Sequence, residues 1–291
     1  RKAIIYLKLK YLAKYMGRNR EYELQADSLG VALVSRAGYN TSFAVRTMQL
    51  LDSVDMPVFR EPLTFSKCLD FTSCPFKDSW LVPEEEESIG GNIAAMVFPD
   101  SLKTHPDCKE RIREMEKTLA GSKQPATPSS DRFDFYRTRA TFELIEFNQE
   151  EYNFGEALYQ SLQMLKTYPD NIYLRSSVAN CLYELYYAQT EHYFSLVTDF
   201  PDARYGQAYN QFLVYLHNIN SDVLKNQAIS YFNANLNKAN ASPFAGYVAL
   251  LLKSIGMPKE EAAKLPNQYS TAYKDDYFLK RLKLQFKPKT K

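Results

Sequence analysis

The stretch "GRNREYELQADSLGVALVSRAGYN", Gly17–Asn40, contains the residues from which both the fold and the chemistry of this chain can be argued. Apolar residues recur in it at the spacing of three and four that one face of a helix requires, namely Tyr22, Ala26, Leu29 and Leu33. Gly38 stands where a left-handed residue ends a helix, and apolar Tyr39 follows it. The stretch therefore predicts a helix over 18–37 with a marked end.

Two carboxylates lie on this predicted helix. Glu23 and Asp27 are four residues apart, and Arg20 and Gly30 continue the same face. Neighbouring carboxylates repel one another unless a cation is near. A glycine in mid-helix costs about 1 kcal/mol relative to alanine, so Gly30 predicts the close approach of another backbone. The alternative is a solvated polar face on which Arg20 and Glu23 form a weak surface pair.

The composition favours an all-α protein. The chain has 291 residues, of which only 10 are glycine and 45% are hydrophobic. Helices are predicted over 3–16 and, after the capping residues "NTS" at 40–42, up to about Val54. The net charge of +2 gives no argument for binding to nucleic acid or to an anionic membrane surface. No apolar run approaches the ~18 residues of a membrane span.

Residues 55–103 interrupt the helical pattern with five prolines, but their many aromatic residues predict an ordered excursion. The stretch "THPDCKERIREMEKTLAG" then predicts a helix capped by Thr104, with Pro106 in its first turn and Asp107 completing the capping box. The Ser- and Pro-rich 121–130 reads as a linker. The predicted domains are therefore 1–120 and 131–291.

Residues 131–291 are predicted to be almost entirely helical. Pro169 separates two amphipathic stretches, and Leu144, Ala157 and Pro169 fall at tetratricopeptide-repeat spacing. The match to this repeat is partial, because Ser161 and Met164 replace bulky residues and no second full repeat follows. We therefore describe the predicted domain as tetratricopeptide-like.

Cysteine and histidine are both sparse. Cys68, Cys74, Cys108 and Cys181 form no CxxC pair and are interpreted as free thiols, with a Cys68–Cys74 disulfide as the alternative. The chain has three histidines, His105, His192 and His217, and none has another histidine four residues away. An HExxH motif is thus absent from these 291 residues.

A combination of motifs resembles a known family. The pattern R-x-x-E-x-x-A-D-x-x-G from Arg20 to Gly30, the "AGY" at 37–39, and "THP" at 104–106 followed by Arg111 and Ile112 resemble the zinc metallopeptidases that include the CAAX prenyl proteases, HtpX and the Oma-type proteases, which are gluzincins. The resemblance covers about residues 1–120. A repeat-like helical tail is also common in the cell-envelope branch of that family.

The resemblance implies a zinc site. In such enzymes two histidines of an upstream HExxH helix bind Zn²⁺, and the glutamate of that motif is the general base. Glu23 would be the third zinc ligand. Asp27, with Arg20, would support the site without binding the metal, Asp27 by accepting a hydrogen bond from a ligating histidine. His105 would face the cleft and stabilise the transition state or gate the open coordination position; the alternative is a packing or capping histidine.

Taken with the missing HExxH, the resemblance predicts the C-terminal portion of a zinc-dependent metalloendopeptidase, inactive alone and without bound Zn²⁺. Its substrates would be proteins or peptides, and the helical domain would bind a protein partner. A cell-envelope location, periplasmic or membrane-associated, is implied, with membrane attachment only through segments outside this chain. The alternative function is a non-catalytic, tetratricopeptide-like protein-binding module.

Overall fold

A computed structural model describes residues 2–52, 62–83, 107–119, 131–202, 205–236, 242–274 and 276–287. Apart from an isolated bridge between Phe71 and Cys74, the regular structure of these residues is helical, and no strand occurs in them. The predicted all-α fold is therefore confirmed. No helix within these ranges has the length and apolar character needed to cross a membrane.

The α-helices of the described residues are α1 (Lys2–Arg36), α2 (Ser42–Asp52), α3 (Phe65–Cys68), α4 (Cys108–Leu119), α5 (Asp131–Glu150), α6 (Phe154–Leu165), α7 (Ile172–Thr190), α8 (Gln207–Asn218), α9 (Ser221–Asn235), α10 (Pro243–Lys253), α11 (Lys259–Ala262), α12 (Leu265–Ala272) and α13 (Tyr277–Gln285). Helix α1 is one continuous helix. The break that was predicted between the helices 3–16 and 18–37 was therefore wrong. Gly17 lies inside α1 because a single glycine weakens a helix without ending it.

The chain forms two compact units. Unit 1 contains Arg1–Val58 and Glu86–Arg132, and unit 2 contains Phe59–Glu85 and Phe133–Lys291. From the sequence, 55–103 was assigned to the first domain, whereas the contacts group most of its first half with the C-terminal helices. The domain limits 1–120, 121–130 and 131–291 themselves stay a prediction.

Unit 1 packs α4 against α1 and α2. Among the described residues of unit 1, Val31, Met48 and Met115 form a buried apolar cluster, with one residue from each helix. The apolar stripe noted in the sequence is not buried in the described part of unit 1, since Tyr22, Leu29 and Leu33 are 63%, 62% and 55% exposed. The face of α1 that packs is therefore the one that carries Val31.

The end of α1 is as predicted. Gly38 has a φ of +79°, which is the left-handed region. The Tyr39 amide donates to the Val34 carbonyl at 3.1 Å, and the Gly38 amide donates to the Ser35 carbonyl at 3.0 Å. This is the Schellman arrangement, which satisfies carbonyls that the last helical turn would otherwise leave without a donor.

Helix α4 begins at Cys108, later than predicted. The carbonyl oxygen of Asp107 accepts the first amide hydrogen bonds, from Glu110 at 2.9 Å and Arg111 at 3.1 Å. Asp107 thus stands just before the helix, whereas the sequence predicted it inside the first turn. The predicted capping residues Thr104 and Pro106 lie outside the described residues.

Unit 2 has the larger core. Helix α7 packs against both α6 and α9. Pro169 lies between α6 and α7, where the sequence predicted a connection. The core is rich in tyrosine and phenylalanine, with Tyr159, Tyr209 and Phe212 all almost fully buried. Each of the four cysteines of the chain is a free thiol, as predicted.

Candidate metal centre

The two carboxylates singled out in the sequence lie on the packed face of α1. Glu23, Asp27 and Val31 follow one another at intervals of four residues, which places them in one row along the helix. The side chains of Glu23 and Asp27 are 28% and 13% exposed, so both are partly removed from water. Val31, at the end of the row, belongs to the core of unit 1.

Arg111 of α4 binds Asp27 through two hydrogen bonds. Its Nε donates to Oδ2 of Asp27 at 2.6 Å, and its Nη2 donates to Oδ1 at 2.7 Å. A planar guanidinium matches a carboxylate in this two-pronged geometry, which is among the strongest side-chain contacts in proteins. The next residue, Ile112, packs against the core of unit 1 and so helps to hold α4 in the position from which Arg111 reaches Asp27.

The same guanidinium also reaches Glu23. Nη1 of Arg111 lies 3.4 Å from Oε2 of Glu23, which is an ion pair looser than the contact with Asp27. The hydrogen bonds with Asp27 raise the pKa of Arg111, and the nearby charges of Asp27 and Glu23 raise it further, against the effect of desolvation. Asp27 and Glu23 thus share the guanidinium of Arg111, which offsets the repulsion between two neighbouring carboxylates.

The structure brings together two of the predicted site residues and leaves others untested. Glu23 and Asp27 lie side by side, and Arg20 lies on α1, half-buried, one turn before Glu23. His105, the predicted transition-state or gating residue, lies outside the described residues. The close approach predicted at Gly30 stays a prediction, because no atom of the described residues lies within 4 Å of a Cβ added there.

Arg111 is the site residue that sequence reasoning did not single out. It was noted only as part of the "HP…RI" element, and Asp27 was expected to receive its hydrogen bond from a histidine. The sequence did contain a signal for Arg111. Two adjacent carboxylates require a cation nearby, and Arg111 stands beside the apolar Ile112 in a predicted amphipathic helix. Spacing along the chain could not show that α4 packs on the carboxylate face of α1.

The cluster can supply part of a metal site. Zinc sites use nitrogen, sulfur or carboxylate ligands, and a catalytic zinc keeps three from the protein. Glu23 fits as one ligand because its carboxylate is partly desolvated and is held only loosely by Arg111. Among the described residues, no group of three or more His, Cys, Asp or Glu side chains is placed to hold a metal.

The cluster lies in a part of the chain that matches the model of a known protein family. The model of peptidase family M48 matches residues 3–119, close to the range 1–120 over which the motifs resemble zinc metallopeptidases. The match includes Glu23, Asp27 and Arg111, and it supports a metallopeptidase kind of function for this part of the chain. Searches of curated proteins and of solved structures gave no match.

Proposed function

We propose that residues 3–119 belong to a zinc-dependent metalloendopeptidase, in which Glu23 is the third zinc ligand. The family match supports a peptidase acting on proteins or peptides. The 291 residues contain no HExxH, so both histidine ligands and the general base would come from outside them. On this proposal the chain alone binds zinc weakly and cleaves no peptide.

The observation that carries the proposal is the contact of Arg111 with both carboxylates. A solvated polar face would leave Glu23 and Asp27 to water and to neighbours on their own helix. Instead, a residue from another helix holds Asp27 at 2.6 Å and 2.7 Å and lies 3.4 Å from Glu23. The two carboxylates are thereby held together on one face of α1, at 28% and 13% exposure.

Each residue would have a distinct part in this site. Zinc, when bound, polarises the scissile carbonyl and lowers the pKa of water. The carboxylate of Glu23 would hold the metal, while Arg111 would hold Asp27 in a fixed orientation. A carboxylate accepts about four hydrogen bonds, so Asp27 can still accept one from a ligating histidine while it binds Arg111. Arg20 would help to hold Glu23 in position, and His105 would affect the rate of turnover.

A second candidate function is supported by a groove on unit 2. It has a volume of about 560 Å³, is open to solvent, and is lined by Phe135, Thr138, Arg139, Phe142 and Tyr168. Exposed aromatic rings of this kind are common in surfaces that bind proteins. The tetratricopeptide-like module would then act by binding, with or without peptidase activity. The cell-envelope location stays a prediction from the family resemblance.

The experiment uses the full gene product that contains these residues. Glu23→Gln keeps the size of the side chain but removes the charge that would neutralise zinc, so it should remove zinc and abolish cleavage. Asp27→Asn should weaken zinc binding by about 10–100-fold, as changes next to ligands do. His105→Ala should leave zinc bound and change only turnover. Atomic absorption measures the zinc content of each variant, and cleavage of casein measures its activity. The variants are ranked by each of these two quantities.

The matched control is Glu21→Gln, which changes an exposed glutamate on the same helix. Glu21→Gln should bind zinc and cleave casein like the parent protein. If Glu23→Gln also does so, Glu23 is not a ligand and its row of α1 is a structural ion-pair site. If the folded parent protein itself holds no zinc and cleaves no casein, the peptidase proposal is wrong.

A further inference from the structure

Residues 62–83, which we call the strap, pack on the helices of unit 2. The strap buries Leu63, Phe65 and Leu69 at 5%, 4% and 0% exposure, and its four charged residues, Lys67, Asp70, Lys77 and Asp78, are exposed. Only one helical turn, α3, and a 3₁₀ turn at Asp78–Leu81 occur in it. The strap is thus an irregular segment with an apolar side against the helices and a charged side in water.

Aromatic contacts hold the strap on α8 and α9. The ring of Phe65 lies 5.5 Å from that of Tyr215 and 6.2 Å from that of Phe212, both on α8. Further along, the ring of Trp80 lies 6.3 Å from Tyr215, and that of Phe71 lies edge-on 6.3 Å from Tyr231 of α9. The strap thus joins its aromatic side chains to the rings of α8 and α9.

Side chains from three helices also bind the backbone of the strap. Gln227 of α9 donates to the Leu69 carbonyl at 3.4 Å, and Lys166, at the end of α6, donates to the Pro62 carbonyl at 3.0 Å. Asn218 of α8 donates to the carbonyls of Trp80 at 3.1 Å and Val82 at 2.6 Å. These donors bind main-chain carbonyls of the strap, in addition to the contacts of its side chains.

Gln227 is the most specific of these donors. It is 0% exposed, and its Oε1 accepts a hydrogen bond from the Tyr215 hydroxyl. That bond leaves the amide nitrogen of Gln227 directed at the strap. A buried amide is costly unless its donors are used, so this position is suited to a bound backbone rather than to an apolar core.

We infer that α8, α9 and the end of α6 form a peptide-binding surface, and that the strap is its occupant in the same chain. The surface fits an irregular segment with Phe and Leu four residues apart, a later aromatic residue and no charge on its buried side. Because the strap and the surface belong to one chain, docking of the strap is intramolecular and is favoured over binding of a separate peptide of the same sequence. A protein partner of the same chemistry must displace it. The inference is independent of peptidase activity.

The test removes the strap from the full chain and supplies it again as a separate peptide. Residues 62–83 are replaced by an equally long Gly/Ser segment, and a synthetic peptide with the strap sequence is added. Trp80 is the one tryptophan of the sequence, so only the peptide contributes tryptophan fluorescence. We expect saturable binding with a dissociation constant on the order of 10 µM, a blue shift of the tryptophan emission and a higher melting temperature of the replaced chain.

Two matched peptides make the test specific. Phe65→Ala with Leu69→Ala removes two buried side chains and should weaken binding at least about tenfold, whereas Ser66→Ala changes an exposed residue and should bind like the strap. A folded, replaced chain that binds no strap peptide at about 100 µM overturns the inference. If the replaced chain does not fold alone, recovery of helical circular dichroism on addition of the peptide supports the inference, and failure to recover overturns it.

Discussion

Arg111 and Asp27 form a two-pronged ion pair, with distances of 2.6 Å and 2.7 Å, across 84 positions of the chain. The pair joins α4 to the carboxylate face of α1 and explains why two acidic residues can share that face. It also gives unit 1 a polar contact beside the apolar cluster of Val31, Met48 and Met115. Unit 1 should therefore depend strongly on Arg111.

The first prediction concerns that dependence. Arg111→Ala should destabilise unit 1 by about 1–3 kcal/mol, because it leaves two partly desolvated carboxylates side by side without their shared cation. Arg111→Lys should recover only part of this loss, since a point charge cannot make the two-pronged contact. Hydrogen exchange of the α4 amides measures the effect within unit 1. The control Arg113→Ala changes an exposed arginine of the same helix and should alter exchange little.

A double-mutant cycle with Asp27→Asn tests the pairing itself. If Arg111 acts through Asp27, the combined variant should lose at least about 1 kcal/mol less than the sum of the single losses. Strict additivity of the two substitutions would show that the pair contributes no coupling energy in solution.

The second prediction contrasts two glycines of the α1 region. Gly38→Ala should destabilise unit 1 by roughly 1 kcal/mol, because alanine is strained at a φ of +79°. Gly30→Ala should stabilise it by up to about 1 kcal/mol, since Gly30 is helical and a Cβ there meets nothing within 4 Å. Amide exchange in α1 gives both values. A loss of stability in Gly30→Ala would show that another part of the protein approaches this position.

The third prediction concerns pH. Burial raises the pKa of Glu184 in α7 to about 7, and the charge of Arg281 opposes the shift only partly. The folded state therefore binds the proton more tightly than the unfolded state, so the contribution of Glu184 to stability is greatest below the unfolded pKa of 4.5 and is lost as the pH rises through about 7. The change amounts to roughly 3 kcal/mol at most.

Glu184→Gln should remove this part of the pH dependence and raise stability at pH values above 7. Urea unfolding of unit 2, followed through the fluorescence of Trp80, measures the difference between variant and parent at acidic and alkaline pH. The exposed Glu150→Gln is the control and should change neither curve. A parent and a Glu184→Gln variant with parallel pH profiles would show that Glu184 titrates normally.

The fourth prediction concerns the strap. Phe65→Ala should destabilise unit 2 by about 3–4 kcal/mol, because Phe65 is 4% exposed and contacts rings of α8. Phe135→Ala changes a phenylalanine of the same unit that is 62% exposed and should cost about 1 kcal/mol or less. Urea unfolding of both variants, followed by circular dichroism, provides the comparison. Equal losses would place the strap outside the cooperative core of unit 2.

The sequence by itself determined the local structure and part of the site. The all-α class, the end of α1 at Gly38 and the placement of Glu23 and Asp27 on one helical face all follow from residue type and spacing. These features depend on backbone preferences and on neighbours within one or two turns. A single sequence contains that information directly.

Only the tertiary structure decided which surfaces meet. Spacing identified an apolar stripe with Tyr22, Leu29 and Leu33 on α1, but α4 packs on the face that carries Val31, and Arg111 then reaches Asp27. Likewise the strap, which was assigned to the first domain, buries its aromatic side chains in unit 2. Periodicity shows that a face is apolar, but the choice of its partner depends on shape and charge complementarity between segments far apart in the chain.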